Sequence, residues 1–95
     1  MVVERFASGR QAEIYRIVRE RGRMLPEGLG YVDSWVSADL TVCFQLMECA
    51  DPVLFQEWTM RWGDLADFDI VPVVPSKATA ALMARLAHEA AADPS

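Results

Sequence analysis

Between residues 40 and 65 the apolar pattern changes period, and that change limits the folds open to the chain. From Leu40 to Cys49, through TVCFQLMEC, Val42, Phe44 and Leu46 alternate with Cys43, Gln45 and Met47, the period of two of a strand. Leu54, Phe55, Trp58, Trp62 and Leu65 then form an apolar stripe about one helix face wide. Asp51-Pro52 marks the switch. An aspartate at a helix cap accepts a backbone N–H that has no other partner, and a proline at the first helical position has no N–H to lose. Gly63 or Asp64 begins the end of that helix. A strand passing directly into an amphipathic helix belongs to a mixed α/β architecture.

The flanking segments extend the pattern. Val2 to Ala7 is a short β-prone run closed by Ser8-Gly9, and Arg10 to Arg21 has helical period, with Ile14, Ile17 and Val18 on its stripe and Gly22 as its stop. Met24 to Gly28 is a connection in which Pro26 and Gly28 favour a turn, and Leu29 to Ser37 is a strand rich in β-branched and aromatic residues. Ser37-Ala38-Asp39 separates it from the next strand, so the two read as a hairpin. Asp67 to Val74 is a fourth strand, at a sheet edge or bulged because Pro72 cannot donate to a ladder. Ser76 caps an alanine-rich helix to about Ala91, with Leu82, Met83 and Leu86 as its large anchors, and Asp93-Pro94-Ser95 is expected to fray.

The order β-α-β-β-α-β plus a C-terminal helix is that of a ferredoxin-like α+β domain, an antiparallel sheet with two helices on one face. The expectation is one domain over residues 1–95, with a core at 2–75 and a terminal helix at 76–91. One sheet face is then left over. If Val42, Phe44 and Leu46 face the helices, that face holds Tyr31, Trp35, Cys43 and Met47, and pairing of two sheets buries it. Composition agrees, because a chain of this length buries only about 60 to 65% of its unfolded surface while 53% of its residues are apolar. A second copy of the chain is the expected cover, giving a homodimer.

Several partners are disfavoured. Nine Lys and Arg against 14 Asp and Glu give a net charge of −5 without a basic run, which argues against nucleic acid. Arg16, Arg19, Arg21 and Arg23 cluster, but Glu13 and Glu20 neutralise the helical ones. Cys43 and Cys49 form no CxxC pair and stand near no histidine, so no metal is expected, and six residues along one strand keep them about 20 Å apart. No apolar stretch approaches a membrane span. The chain reads as cytoplasmic and reduced.

The segments RGRMLPEGLGYVDSWV and CFQLMECADPVLFQEWTMRWGDLADFDIVPVV resemble an uncharacterised bacterial family of roughly 90-residue proteins in the dimeric α/β-barrel, or dimeric ferredoxin-like, superfamily. The resemblance covers residues 2 to about 75. It implies a homodimer whose two sheets face each other as an α/β barrel, each subunit framing a small cavity. The superfamily includes cofactor-independent monooxygenases, muconolactone-type isomerases, haem-handling enzymes and plain stress proteins. The strands here lack a histidine, a departure from the haem-binding members.

Candidate chemistry centres on the row Tyr31, Asp33, Trp35, at every second position of one strand. If all three point into a cavity, burial raises the Asp33 pKa toward the range useful for proton transfer; the alternative is an ion pair with Arg5 or Arg23. Glu4, with Phe6 on the same side, could share the site with Gln45, or pair with Arg5 of a second copy. Glu48 falls with Val42, Phe44 and Leu46 at the rim of the helix-facing side, where it reads either as a rim ion pair with a partner such as Arg23 or as a pocket residue. Tyr15 and Arg19 could hold an anionic substrate or simply cap the helix flank. Trp58 and Trp62 pack the core or wall the pocket, His88 is a surface residue and Cys43 a structural one. No GxGxxG or GxxxxGK is present, so any catalysis is expected to be cofactor-free.

The functional expectation is a cofactor-independent small-molecule enzyme of isomerase, cyclase or monooxygenase type, acting on a compact aromatic or polyketide-like substrate. Asp33 serves as acid or base, Glu4, Gln45 and Tyr31 orient, and Tyr15, Arg19, Arg23, Trp35, Trp58 and Trp62 bind. The alternative is a noncatalytic homodimeric ligand-binding or protein-interaction module.

Overall fold

A computed structural model describes residues 1–92, so the expected fraying of Asp93-Pro94-Ser95 lies outside the described residues. The elements are β1 (Val2–Phe6), α1 (Gln11–Arg21), β2 (Gly30–Val36), β3 (Val42–Glu48), α2 (Val53–Trp62), a 3-10 turn (Gly63–Leu65), β4 (Ala66–Ile70) and α3 (Ser76–Ala92). The four strands form one antiparallel sheet in the order β2-β3-β1-β4. It is therefore a mixed α+β fold with a four-stranded antiparallel sheet and three helices.

Local chemistry sets the element ends. The Asp51 carboxylate accepts the Val53 N–H at 3.1 Å, the cap that starts α2 directly after Pro52. Gly22 and Gly63 close α1 and α2 with left-handed φ angles of 66° and 60°. Gly28 is the position with least latitude. Its φ is +94°, and a Cβ there would sit 3.1 Å from Leu54 Cδ1, so the 24–28 connection crosses close over α2 only because this residue has no side chain.

The core lies between one sheet face and the helices: Val2, Ile14, Leu29, Met47, Trp58, Trp62 and Leu65 are buried together, with Phe6, Ile17, Val18, Leu54, Phe55 and Phe68 packed against them. Trp58 meets Phe68 edge to face at 5.0 Å between ring centres. The stripe on α2 packs into the core.

The sidedness of β3 is the reverse of the expectation. Cys43, Gln45 and Met47 are buried under the helices, while Val42, Phe44, Leu46 and Glu48 lie on the open face. Both rows are largely apolar, so alternation alone does not say which is inward. Pairing to β1 decides it, because Val2 and Glu4 stand opposite Gln45 and Cys43, and Glu4 bonds Gln45 within the core. Glu48 is consequently exposed on the open side, away from Arg23.

Two further expectations change. β4 is an edge strand, one of the two placements expected for it, but it stops at Ile70, before Pro72, instead of reaching Val74, with only Val71 extending the pairing through two hydrogen bonds to Met1. The presumed anchors of α3 anchor nothing: Leu82, Met83 and Leu86 are 40, 58 and 44% exposed, and no residue of that helix is buried. The chain measures 62 × 31 × 19 Å with a radius of gyration of 18.3 Å, against about 12 Å for a compact chain of this length.

Candidate functional site

The β2–β3 pairing answers what the Tyr31, Asp33, Trp35 row is for. Tyr31 stands opposite Met47 and Asp33 opposite Leu46, so Val32 is one residue too many on the β2 side. This bulge shifts the alternation by one. Tyr31 and Ser34 then lie on the helix side, where their hydroxyls are 2.6 Å apart, whereas Asp33 and Trp35 lie on the open face with Phe44 opposite Trp35. Asp33 is exposed and accepts only the neighbouring Ser34 N–H at 2.8 Å. Its expected burial between aromatics does not occur, and neither arginine pairs with it: Arg5 pairs with Asp69, and Arg23 points to the other side of the sheet.

That other side holds a polar cluster inside the core. Glu4 and Gln45 are 5 and 2% exposed, and the Gln45 Nε2 donates to Glu4 Oε2. The Gln45 carbonyl oxygen in turn accepts Arg23 Nη1 at 3.0 Å, and the Arg23 guanidinium lies 3.8 Å over the Tyr31 ring. A cation, an amide and a carboxyl thus form one chain across β3. Burial dominates the electrostatics and raises the Glu4 pKa from 4.5 to about 7, against the opposing pull of Gln45 and Arg23. Burial likewise pushes up the Cys43 thiol, with Glu4 adding to it and Arg23 and Ser34 opposing, and pushes up the Tyr15 phenol, with Cys43 and Glu4 adding to it. Tyr15 packs edge to face on Phe6 at 6.2 Å.

The loop bearing Arg23 is held from α2. Trp58 Nε1 and Trp62 Nε1 both donate to the Arg23 carbonyl, at 2.9 and 3.2 Å, and Arg61 Nη1 donates to the Met24 carbonyl at 3.0 Å. Met24 itself has a left-handed φ of 57°, a conformation that costs a non-glycine residue energy and persists because these contacts fix it.

Of the sequence-derived site residues, the fold brings together Glu4, Gln45, Tyr31, Arg23 and Tyr15. It separates Asp33 and Trp35 onto the opposite sheet face and leaves Arg19 exposed on α1 without an ion pair among the described residues. Trp58 and Trp62 act behind the cluster, on the backbone of Arg23. Ser34 and Cys43 were missed as neighbours of the site. The Ser34 position follows from the bulge, for which the sequence carries no signal, while Cys43 was legible as the β3 residue two before Gln45. Among the described residues no three of His, Cys, Asp and Glu converge as a metal site, and no helix is long and apolar enough to cross a membrane.

An antiparallel sheet with a helical layer on one face, and a carboxyl–amide–guanidinium chain that runs from the buried Glu4 and Gln45 to the half-buried Arg23, defines a small α+β protein with a carboxyl in its core. The chain belongs to the family described as domain of unknown function DUF3303, whose model matches residues 1–87. The match runs past the segments that carried the sequence resemblance and takes in most of α3. Comparisons with curated proteins and with solved structures return no match.

Proposed function

We propose that the chain is a cofactor-independent enzyme that moves a proton on a compact, enolisable aromatic or polyketide-like molecule. The observation that carries this reading is Glu4, a buried carboxyl whose pKa of about 7 gives comparable amounts of acid and base at neutral pH. As a base it takes the proton from a C–H beside a carbonyl, and as the resulting acid it returns that proton to another carbon of the same molecule. Gln45 fixes the carboxyl, and Arg23 fixes Gln45. Tyr15 and Tyr31, 39 and 36% exposed, are the outer members of the cluster.

The test is solvent-deuterium uptake into a panel of enolisable phenolic ketones, followed by NMR. Uptake should rise with pH through about 7 in the wild type and fall by about 100-fold or more in Glu4→Gln, the usual scale of a general base. Undiminished uptake in the variant would remove Glu4 from the mechanism and the reading with it.

The finer fold reading is a ferredoxin-like protomer that dimerises through its sheets into an α/β barrel. The strand order β2-β3-β1-β4 with α1 and α2 on one face supports the first part. The second is supported by the open face, where Trp35 is 53% and Phe44 40% exposed beside Val3, Val42 and Leu46. A noncatalytic homodimeric module rests on this same surface. Trp35→Asp, on the open face and outside the buried core, should lower the mass in sedimentation from dimer to monomer while the fold persists. A dimer that survives Trp35→Asp does not use this face.

A further inference from the structure

A second unpartnered surface lies elsewhere in the molecule and has its own complement. An open groove of about 730 Å³ runs between α2 and β4, with Pro52, Phe55, Met60, Phe68 and Ile70 supplying its apolar walls and Asp67 a carboxylate at its edge. Met60 projects beside it, 81% exposed. α3 is the counterpart: Leu82 and Leu86, four residues apart, and Met83, three before Leu86, share one helix face, and none is buried. Alanines flank them, which lets the backbone of such a helix approach closely.

The charges match. Residues 1–75 carry seven arginines against twelve carboxylates, whereas α3 carries Lys77 and Arg85 against Glu89. The helix thus carries one net positive charge against an acidic body: Arg85 is paired with Glu89, which leaves Lys77, and the edge strand beside the groove contributes Asp67, since Asp69 is paired with Arg5.

The linker decides which body receives the arm. Met1 and Val71 exchange two backbone hydrogen bonds, which pins the chain at the end of β4. Residues 71–75 contain no turn or bend, and Pro72 and Pro75 restrict them. Five extended residues carry α3 about 15 Å onward from the groove, instead of reversing it along α2. The 62 Å length of the chain follows from this path. We propose that α3 of one copy lies in the α2/β4 groove of a second copy, with Leu82, Met83 and Leu86 against Phe55, Met60 and Ile70. The family match through residue 87 places these three α3 residues within the family's domain.

Cysteine cross-linking of the full-length chain tests the exchange in a Cys49→Ser background, since Cys49 is the partly exposed native thiol. Copies carrying Met60→Cys are mixed with copies carrying Met83→Cys and oxidised mildly. The expected result is a disulfide-linked pair of chains on non-reducing gels, lost at least tenfold when Leu82→Asp and Leu86→Asp are added to the Met83→Cys copy. Three outcomes overturn the proposal: no link on mixing; a link only within one chain when both cysteines are on the same copy; or a link between chains that the two aspartates leave unchanged. Sheet-face pairing is read separately through Trp35→Asp.

Discussion

Trp58→Ala is expected to remove about 3–5 kcal/mol of stability, the cost of deleting a large buried aromatic and leaving a cavity. Trp58 is 1% exposed, stacks edge to face on Phe68 and donates to the Arg23 carbonyl, so the substitution removes core volume, an aromatic pair and a hydrogen bond together. A chain of this size has roughly 5–14 kcal/mol in total. Urea unfolding should therefore show a midpoint shifted far toward zero, or no cooperative transition at all. Trp58→Phe keeps a ring against Phe68 and should cost markedly less. A loss below about 1 kcal/mol for the alanine variant would mean that α2 is not seated on the sheet through this residue.

Glu4→Gln is expected to have the opposite sign above neutral pH. The Glu4 carboxyl is raised from 4.5 to about 7 in the folded chain, so between those values the native state holds a proton that the unfolded state has released. Its contribution to stability is complete below pH 4.5 and is lost as pH rises through about 7. The loss amounts to up to about 3 kcal/mol, from the free-energy equivalent of a pKa unit. Gln45 can donate to a glutamine oxygen as it does to the carboxyl, and glutamine has no charge to bury. The variant should equal the wild type near pH 4 and exceed it at pH 8. Taking the difference between the two proteins separates Glu4 from Glu13 and Asp39, whose carboxyls are held below the usual range by Arg10 and by Thr41. Parallel stability curves for the two proteins from pH 4 to 8 would show that Glu4 titrates alike in the folded and unfolded chain. A gain in stability accompanied by loss of deuterium uptake would tie the buried charge to the proposed proton transfer.

Both predictions concern side chains whose types were legible and whose surroundings were not. Glu4 and Gln45 could be named as a polar pair because each stands in an apolar strand, where an unpartnered group is costly. Arg23 was visible only as a loop residue. Its place over Tyr31 depends on two indoles that bind its carbonyl from a helix 35 and 39 residues later. Asp33 misled for a local reason: strict alternation assigns it the side of Tyr31, and one extra residue at Val32 reverses that.

What the sequence determined by itself is the succession of elements and most of their ends. Those depend on local causes: the period of apolar residues, the Asp51 cap, and the glycines at 22 and 63. Tertiary structure decided which row of β3 faces inward, where the bulge falls in β2, and that α3 leaves the body of its own chain. These outcomes depend on pairings between residues far apart in sequence. With apolar side chains on both sides of β3, the register that sets Val2 and Glu4 opposite Gln45 and Cys43, and the Gln45–Glu4 hydrogen bond it allows, distinguish inside from outside.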